Sequence, residues 1–108
     1  MKPIFLQYPA CSTCQKAKKW LTENNIEYTN RLIVEDNPTI EELKAWIPLS
    51  ELPVRKFFNT SGLVYKELNL KDKLPTMSEE EQIALFATNG KLVKRPLVVT
   101  NNFVLAGF

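Results

Sequence analysis

The sequence predicts a single α/β domain with a mixed sheet of about four strands, and three observations carry that expectation. The chain opens on a strand, helix, strand pattern. It continues through a helical stretch punctuated by prolines and capping motifs, and it closes on two apolar triplets joined by a short polar turn. Its 108 residues are the size of one domain. By size scaling such a chain buries roughly 65% of its unfolded surface, so folding requires neither a disulfide nor a metal. No internal repeat, low-complexity tract or linker divides it.

Each element follows from its residues. "PIFLQY" (3–8) is a short apolar run ending at Pro9, long enough for a buried strand and too short for a helix. Ser12 followed by Gln15 has the S-x-x-Q form of a capping box. Ala17, Trp20 and Leu21 then recur at helical spacing until "ENN" (23–25), which predicts a helix over 12–23 with Ser12 as its N-cap. "IEYTNRLIV" (26–34) is rich in β-branched and aromatic residues and predicts a second strand, parallel to the first because a helix crosses between them.

Thr39 with Glu42 forms a second capping box ahead of Ile40, Leu43 and Ile47, with Pro48 and Pro53 bounding a linking segment. The turn residues "NTSG" (59–62) precede one short helix, "LVYKELNL" (63–70). Ser78 with Glu81 opens a further helix through Ile83, Leu85, Phe86 and Ala87, stopped by Asn89-Gly90. The acidic run Glu79 to Glu81 suits the positive end of that helix dipole and needs no binding role. "LVV" and "FVL" flank "TNN", whose asparagines can take the positive φ of a tight turn, so an antiparallel hairpin closes the chain.

Composition narrows function. The net charge of +2 comes from acidic and basic residues mixed along the chain, without the field of a dedicated nucleic-acid or membrane-surface binder. "MKPIFLQYP" is too short an apolar run for a signal-peptide core, and no later run approaches a membrane span. The expectation is a soluble cytoplasmic protein with no direct nucleic-acid or membrane partner. Histidine is absent, which removes Ser/His/Asp and Cys/His nucleophiles and imidazole metal sites. The single Cys-x-x-Cys supplies only half of a zinc site, so no metal is expected.

Both cysteines lie in "PACSTCQ", Cys11 and Cys14, at the predicted start of the first helix. In a reducing compartment such a pair is more often a redox or metal site than a permanent staple. A thiolate is the nucleophile, and an unperturbed thiol with a pKa of about 8.5 is little ionised at neutral pH. At the start of a helix, unpaired backbone N–H groups and the dipole favour the anion. Lys16, Lys18 and Lys19 add charge nearby or are a solvated helix face. Cys14 lies nearly one turn on, so it can close a disulfide with Cys11 as the resolving thiol, or it is a small core residue beside Ala17 and Leu21. The same turn, with the backbone of Ser12 and Thr13, can hold an oxyanion. Six residues after Cys11 stands Ala17, not the arginine of phosphatase-type loops, so an anion partner has to come from elsewhere. Arg95-Pro96 is the best candidate, against the plainer reading of a proline opening an edge strand beside an exposed arginine.

Four stretches, "YPACSTCQKAKKWL", "FFNTSGLVYKELNLKDKL", "MSEEEQIALFATNGKLVKRPLVV" and "FVLAGF", together resemble the ArsC/Spx family, most closely its YusI-like, arsenate reductase-related branch. The resemblance runs in order along nearly the whole chain. It implies a thioredoxin/glutaredoxin-like fold with a helical insertion over about 38–90 and the cysteine motif leading the first helix. It also implies a cis bond before Pro96, with that loop opposite Cys11, and it maps an anion-facing arginine onto Arg95.

For function the resemblance implies a thiol-disulfide redox protein with Cys11 as nucleophile, Cys14 as resolving thiol and a Cys11–Cys14 disulfide. Ser12, Thr13, Asn59, Arg95 and Pro96 would contact substrate. In arsenate reductases of this type the thiolate at the Cys11 position attacks arsenate, and glutathione with glutaredoxin completes the two-electron reduction. No cofactor is then needed beyond an external thiol reductant of the glutaredoxin or thioredoxin type. In the Spx branch the pair is instead a redox switch on a regulator that binds the C-terminal domain of the RNA polymerase α subunit. The reductases carry a second arginine just before the mid-chain motif, where alignment puts Phe57, and a third arginine after the terminal hairpin. This chain ends at Gly107-Phe108, without a counterpart of that arginine or of the family's final helix. One anion-facing arginine instead of three predicts weak arsenate binding.

Overall fold

The structure, a computed structural model, describes residues 2–108. β1 (Ile4–Gln7), α1 (Ser12–Glu23) and β2 (Thr29–Leu32) form the expected opening, and β2 runs parallel to β1 with Ile4 registered on Thr29. β3 (Leu97–Val99) lies antiparallel on the other side of β1, pairing Leu6 with Leu97, and β4 (Val104–Ala106) returns antiparallel to β3. The strand order among the described residues is β2-β1-β3-β4. Because β1 and β3 are antiparallel, the chain leaves β1 and enters β3 at the same end of the sheet. That register sets the loop holding Cys11 beside the loop holding Arg95 and Pro96.

Side chains alternate across the sheet, which separates two layers. Phe5 and Val98 face α1 and meet Ala17 and Leu21. Leu6, Leu97, Val99 and Val104 face the opposite way, onto the helical insertion. That insertion comprises α2 (Ile40–Ser50), α3 (Leu63–Glu67), α4 (Leu70–Lys73) and α5 (Glu79–Phe86), with 3₁₀ turns at Val54–Phe57, Leu74–Thr76 and Gly90–Leu92. Its core is built on Leu43, Phe57, Phe86 and Leu92, all fully buried. No helix among the described residues is long and apolar enough to cross a membrane.

Two capping boxes form as expected, at Thr39 with Glu42 and at Ser78 with Glu81. Glu42 does more than cap. Its carboxylate takes both Nη atoms of Arg31, at 2.6 and 2.8 Å, while the Arg31 guanidinium lies 5.5 Å from the Trp46 ring centroid. The pair ties α2 to β2, and Arg31 is only 12% exposed. The Arg31 hydrogen bonds hold the Glu42 carboxyl below its usual range. A carboxylate lowered by folding contributes stability that is complete above its unfolded pKa of about 4.3 and is lost as pH falls through the lower folded value. Glu42→Gln is therefore expected to cost about 2 kcal/mol at neutral pH and to flatten the acid limb of the stability curve. Urea unfolding of both proteins from pH 7 down to acid checks this.

Four local expectations change. β2 is shorter than 26–34, because after Ile33 the Asp36 N–H turns back to the Leu32 carbonyl at 2.9 Å. Pro48 does not bound α2 but sits inside its last turn, where the helix gives up one backbone bond before ending at Glu51 with φ 60°. The stretch 63–70 is not one helix, since Asn69 adopts φ 53° and breaks it into α3 and α4. The hairpin turn uses no positive φ at Asn101 or Asn102. Instead the Thr100 hydroxyl oxygen accepts the N–H groups of Asn102 and Phe103, at 3.2 and 3.0 Å.

Candidate functional site

The chain leaves β1 at Gln7 and turns sharply, the Cys11 N–H donating to the Tyr8 carbonyl at 3.0 Å. Cys11 then has extended backbone (φ −87°, ψ 115°), and its carbonyl accepts the Gln15 N–H at 3.1 Å. The helix boundary is as predicted, but the cap is not Ser12. Cys11 itself is the N-cap, its Sγ accepting the Cys14 N–H at 3.2 Å. Gln15 does not reach back to Ser12; its amide donates to the Pro9 carbonyl at 3.1 Å and to the Gln7 Oε1 at 3.4 Å. The physical reason is that Cys11 is the last residue with extended backbone and Ser12 is already helical, so the Cys11 side chain is the one that reaches the orphan N–H groups of the first turn. The Cys11 sulfur thus sits at the capping position rather than one residue outside it.

Electrostatics separates the two thiols. Burial pushes Cys11 upward, but hydrogen bonds from the Cys14 thiol and N–H, the Arg95 charge and the Thr13 N–H outweigh it, and the net shift is downward. Cys14 is pushed up to about 12, by burial first and then by its hydrogen bond to Cys11. Both are free thiols, and Cys14 is wholly buried while Cys11 is partly open. One sulfur is therefore accessible and shifted toward its anion, and the other is a buried thiol held protonated behind it. The exposed Lys16, Lys18 and Lys19 do not border the site and remain a solvated face.

Cys11 opens on a cavity of about 780 Å³, bordered also by Tyr8, Ser12, Thr13, Asn59 and Arg95. No Asp or Glu side chain lines it, and Lys94 adds a second cation that sequence reasoning passed over. Its position next to Arg95 was the available signal. Arg95 spends one of its five N–H donors on the protein, Nη1 to the Lys91 carbonyl at 3.2 Å, and its guanidinium lies 4.8 Å from the Tyr8 ring centroid. No group of three or more potential metal ligands comes together among the described residues.

Pro96 follows a cis bond from Arg95, as the resemblance implied, and leads into β3, an interior strand rather than an edge. Its own side chain is buried and does not border the thiol cavity. It lines an apolar groove of about 320 Å³ against α1, because it shares the sheet face of Val98, two residues on. Of the two neighbours, Arg95 borders the thiol cavity and the Pro96 ring borders the groove against α1. Phe57 also changes meaning. It is fully buried in the insertion core, so no residue at that position can face an anion. The mid-chain segment presents Asn59 instead, anchored by its N–H on the Leu92 carbonyl at 2.8 Å.

Comparison with known proteins bears on the family and the fold. The chain is 52% identical to the uncharacterized protein YusI of Bacillus subtilis over 108 residues, covering 100% of this chain and 92% of that protein. It is 32% identical over 101 residues to the global transcriptional regulator Spx of Staphylococcus aureus, covering 93% of this chain and 75% of Spx. Among solved structures, an ArsC family related protein from Bacteroides fragilis is 85% identical with a TM-score of 0.97, over 100% of this chain and 92% of that one. An arsenate reductase from Vibrio cholerae is 30% identical with a TM-score of 0.87, over 98% and 89%. With the ArsC family model matching residues 6–108, the protein belongs to the ArsC family.

Proposed function

We propose that the protein is a thiol-disulfide redox protein in which Cys11 is the nucleophile and Cys14 the resolving thiol. The observation that carries this reading is the Cys11 sulfur acting as N-cap of α1 in a cavity bordered by Lys94 and Arg95, with Cys14 buried behind it. The Cys11 thiolate attacks one sulfur of a substrate disulfide; the disulfide breaks, and the departing thiolate takes a proton. A mixed disulfide on Cys11 removes the thiolate whose hydrogen bond helped keep Cys14 protonated. Cys14 then loses its proton and attacks Cys11, closing the Cys11–Cys14 disulfide and releasing the second substrate thiol. An external dithiol of the glutaredoxin or thioredoxin type returns the two electrons. No metal or organic cofactor enters this route.

Arsenate reduction is the narrower form of this proposal. A cavity of about 780 Å³ with Arg95, Lys94 and the Thr13 N–H accommodates an oxyanion, and the similar Vibrio cholerae protein is an arsenate reductase. The cavity also has room for a peptide-sized disulfide, and Asn59 in place of a cation favours that larger substrate over a tightly held oxyanion. Alkylation of Cys11 against pH, in buffers of graded thiol redox potential, tests the general claim. The expected result is a midpoint below the ordinary thiol value of about 8.5 and a reversible Cys11–Cys14 disulfide. An ordinary midpoint without that disulfide overturns it. Arsenate-dependent NADPH oxidation coupled through glutaredoxin or thioredoxin tests the narrower claim, which fails if the rate does not exceed that of Cys11→Ser.

The likeness to Spx supports a second reading, in which the same dithiol is a switch on a regulator rather than an enzyme's active site. A pull-down with the C-terminal domain of the RNA polymerase α subunit, reduced and oxidised, separates the two. Redox-dependent capture favours the regulator, and absence in both states excludes it.

A further inference from the structure

Arg95 has a long, flexible side chain with no carboxylate partner among the ion pairs of the described residues. Its hydrogen bond to the Lys91 carbonyl is a single pivot, around which the guanidinium can swing. What sets its plane is the Tyr8 ring, 4.8 Å away at the centroid. Tyr8 is itself held at both ends: its carbonyl accepts the Cys11 N–H at 3.0 Å, and its side chain packs on the core of the insertion. One short turn at the end of β1 thus fixes both the sulfur and the platform for the cation. The Tyr8 hydroxyl makes no hydrogen bond among the described residues, which leaves the ring face as its working part.

Tyr8 and Arg95 border both the thiol cavity and a neighbouring cavity of about 460 Å³, which is also bordered by Lys91 and Glu67. That acid is the natural partner of an arginine released from its platform. We propose that Tyr8 is a positioning residue of this site, its ring face keeping the Arg95 guanidinium, which borders both cavities, oriented for Cys11 and unpaired with Glu67. The aromatic quadrupole attracts the cation without neutralising it, so Arg95 keeps its full charge for Cys11 and for an incoming anion. A carboxylate in the place of Tyr8 would hold the guanidinium as firmly but cancel that charge. This role rests on the reading of Cys11 as the reactive thiolate.

The test compares alkylation of Cys11 by neutral iodoacetamide and anionic iodoacetate across pH, in the full chain, with the modified residue assigned by mass spectrometry. The ratio of the two rates reports positive charge at the sulfur, which a merely structural role for Tyr8 would not move. Tyr8→Phe is expected to keep the ratio and the pH midpoint. Tyr8→Leu is expected to raise the midpoint and to lower the iodoacetate rate, relative to iodoacetamide, about two- to fivefold. Tyr8→Met, which fills the space without a π face, should do the same and serves if the leucine variant folds poorly. Adding Glu67→Gln to Tyr8→Leu should restore part of the loss, and Arg95→Gln should abolish the effect of Tyr8→Leu. A ratio unchanged in both Tyr8→Leu and Tyr8→Met, alongside a loss in Arg95→Gln, overturns the role of Tyr8. An ordinary midpoint in the wild-type chain overturns the reading of Cys11 itself.

Discussion

Cys11→Ser is expected to remove all thiol-disulfide exchange, and Cys14→Ser to stop it half-way. The two effects differ because the structure gives the sulfurs different surroundings. Cys11 is accessible and held below the ordinary thiol range, with burial opposed by the hydrogen bonds of Cys14 and the charge of Arg95. A serine hydroxyl at the same cap can still accept the Cys14 N–H, so the fold should survive while the nucleophile is lost. Cys14 is wholly buried and pushed up to about 12, which makes it inert until Cys11 is covalently occupied. Its removal should therefore leave a trapped mixed disulfide on Cys11. Intact mass spectrometry after incubation with a disulfide substrate reads both outcomes. Equal trapping by both variants would refute the division of labour.

Phe57→Arg is expected to unfold the domain, whereas Asn59→Arg should leave it folded and tighten anion binding. Alignment to the family's reductases suggests position 57 for the second cation, but Phe57 is 0% exposed among Leu43, Phe86 and Leu92. Losing a buried phenyl ring costs about 3–5 kcal/mol, and an unpaired charge in its place adds to that, against a total stability of about 5–15 kcal/mol. Asn59 borders the thiol cavity and makes only exposed side-chain bonds, to the Ser61 hydroxyl and the Lys91 carbonyl. An arginine there should cost less than about 1 kcal/mol. A charge-assisted hydrogen bond worth about 1.5–3 kcal/mol would tighten phosphate or arsenate binding roughly 10- to 100-fold. Thermal melts and calorimetric titration with phosphate distinguish the two positions. A folded Phe57→Arg chain that binds phosphate more tightly would reverse the assignment.

The sites that sequence reasoning placed well are those whose signal is local. Thr39 with Glu42 and Ser78 with Glu81 cap their helices because both partners lie within one turn. The cysteine pair falls at the start of α1 for the same reason. Where reasoning went astray, a side chain had two partners within reach. Gln15 could cap Ser12 or bond Gln7 and Pro9, and the buried Gln7, only 4% exposed, wins because its amide carbonyl needs a donor there. Asn101 and Asn102 could supply positive φ, but Thr100 two positions earlier offers a hydroxyl that holds the turn without it. Pro48 could end α2, yet Trp46 and Ile47 are buried just before it and the helix runs on to Ser50.

What the amino-acid sequence determined by itself is the chemistry available: two thiols at a helix start, no imidazole, and one arginine before a proline. Periodicity and capping also determined the order of strands and helices, because those rules act over a few residues. Only the tertiary structure decided which of these groups meet. The antiparallel register of Leu6 on Leu97 brings positions 11 and 95 to one end of the sheet, across more than eighty residues of chain. Packing of the insertion core turns Phe57 inward and Asn59 toward the sulfur. The Tyr8 ring meets Arg95 through the same long-range pairing. Such contacts are set by the summed burial of the whole core, and no stretch of sequence carries that sum.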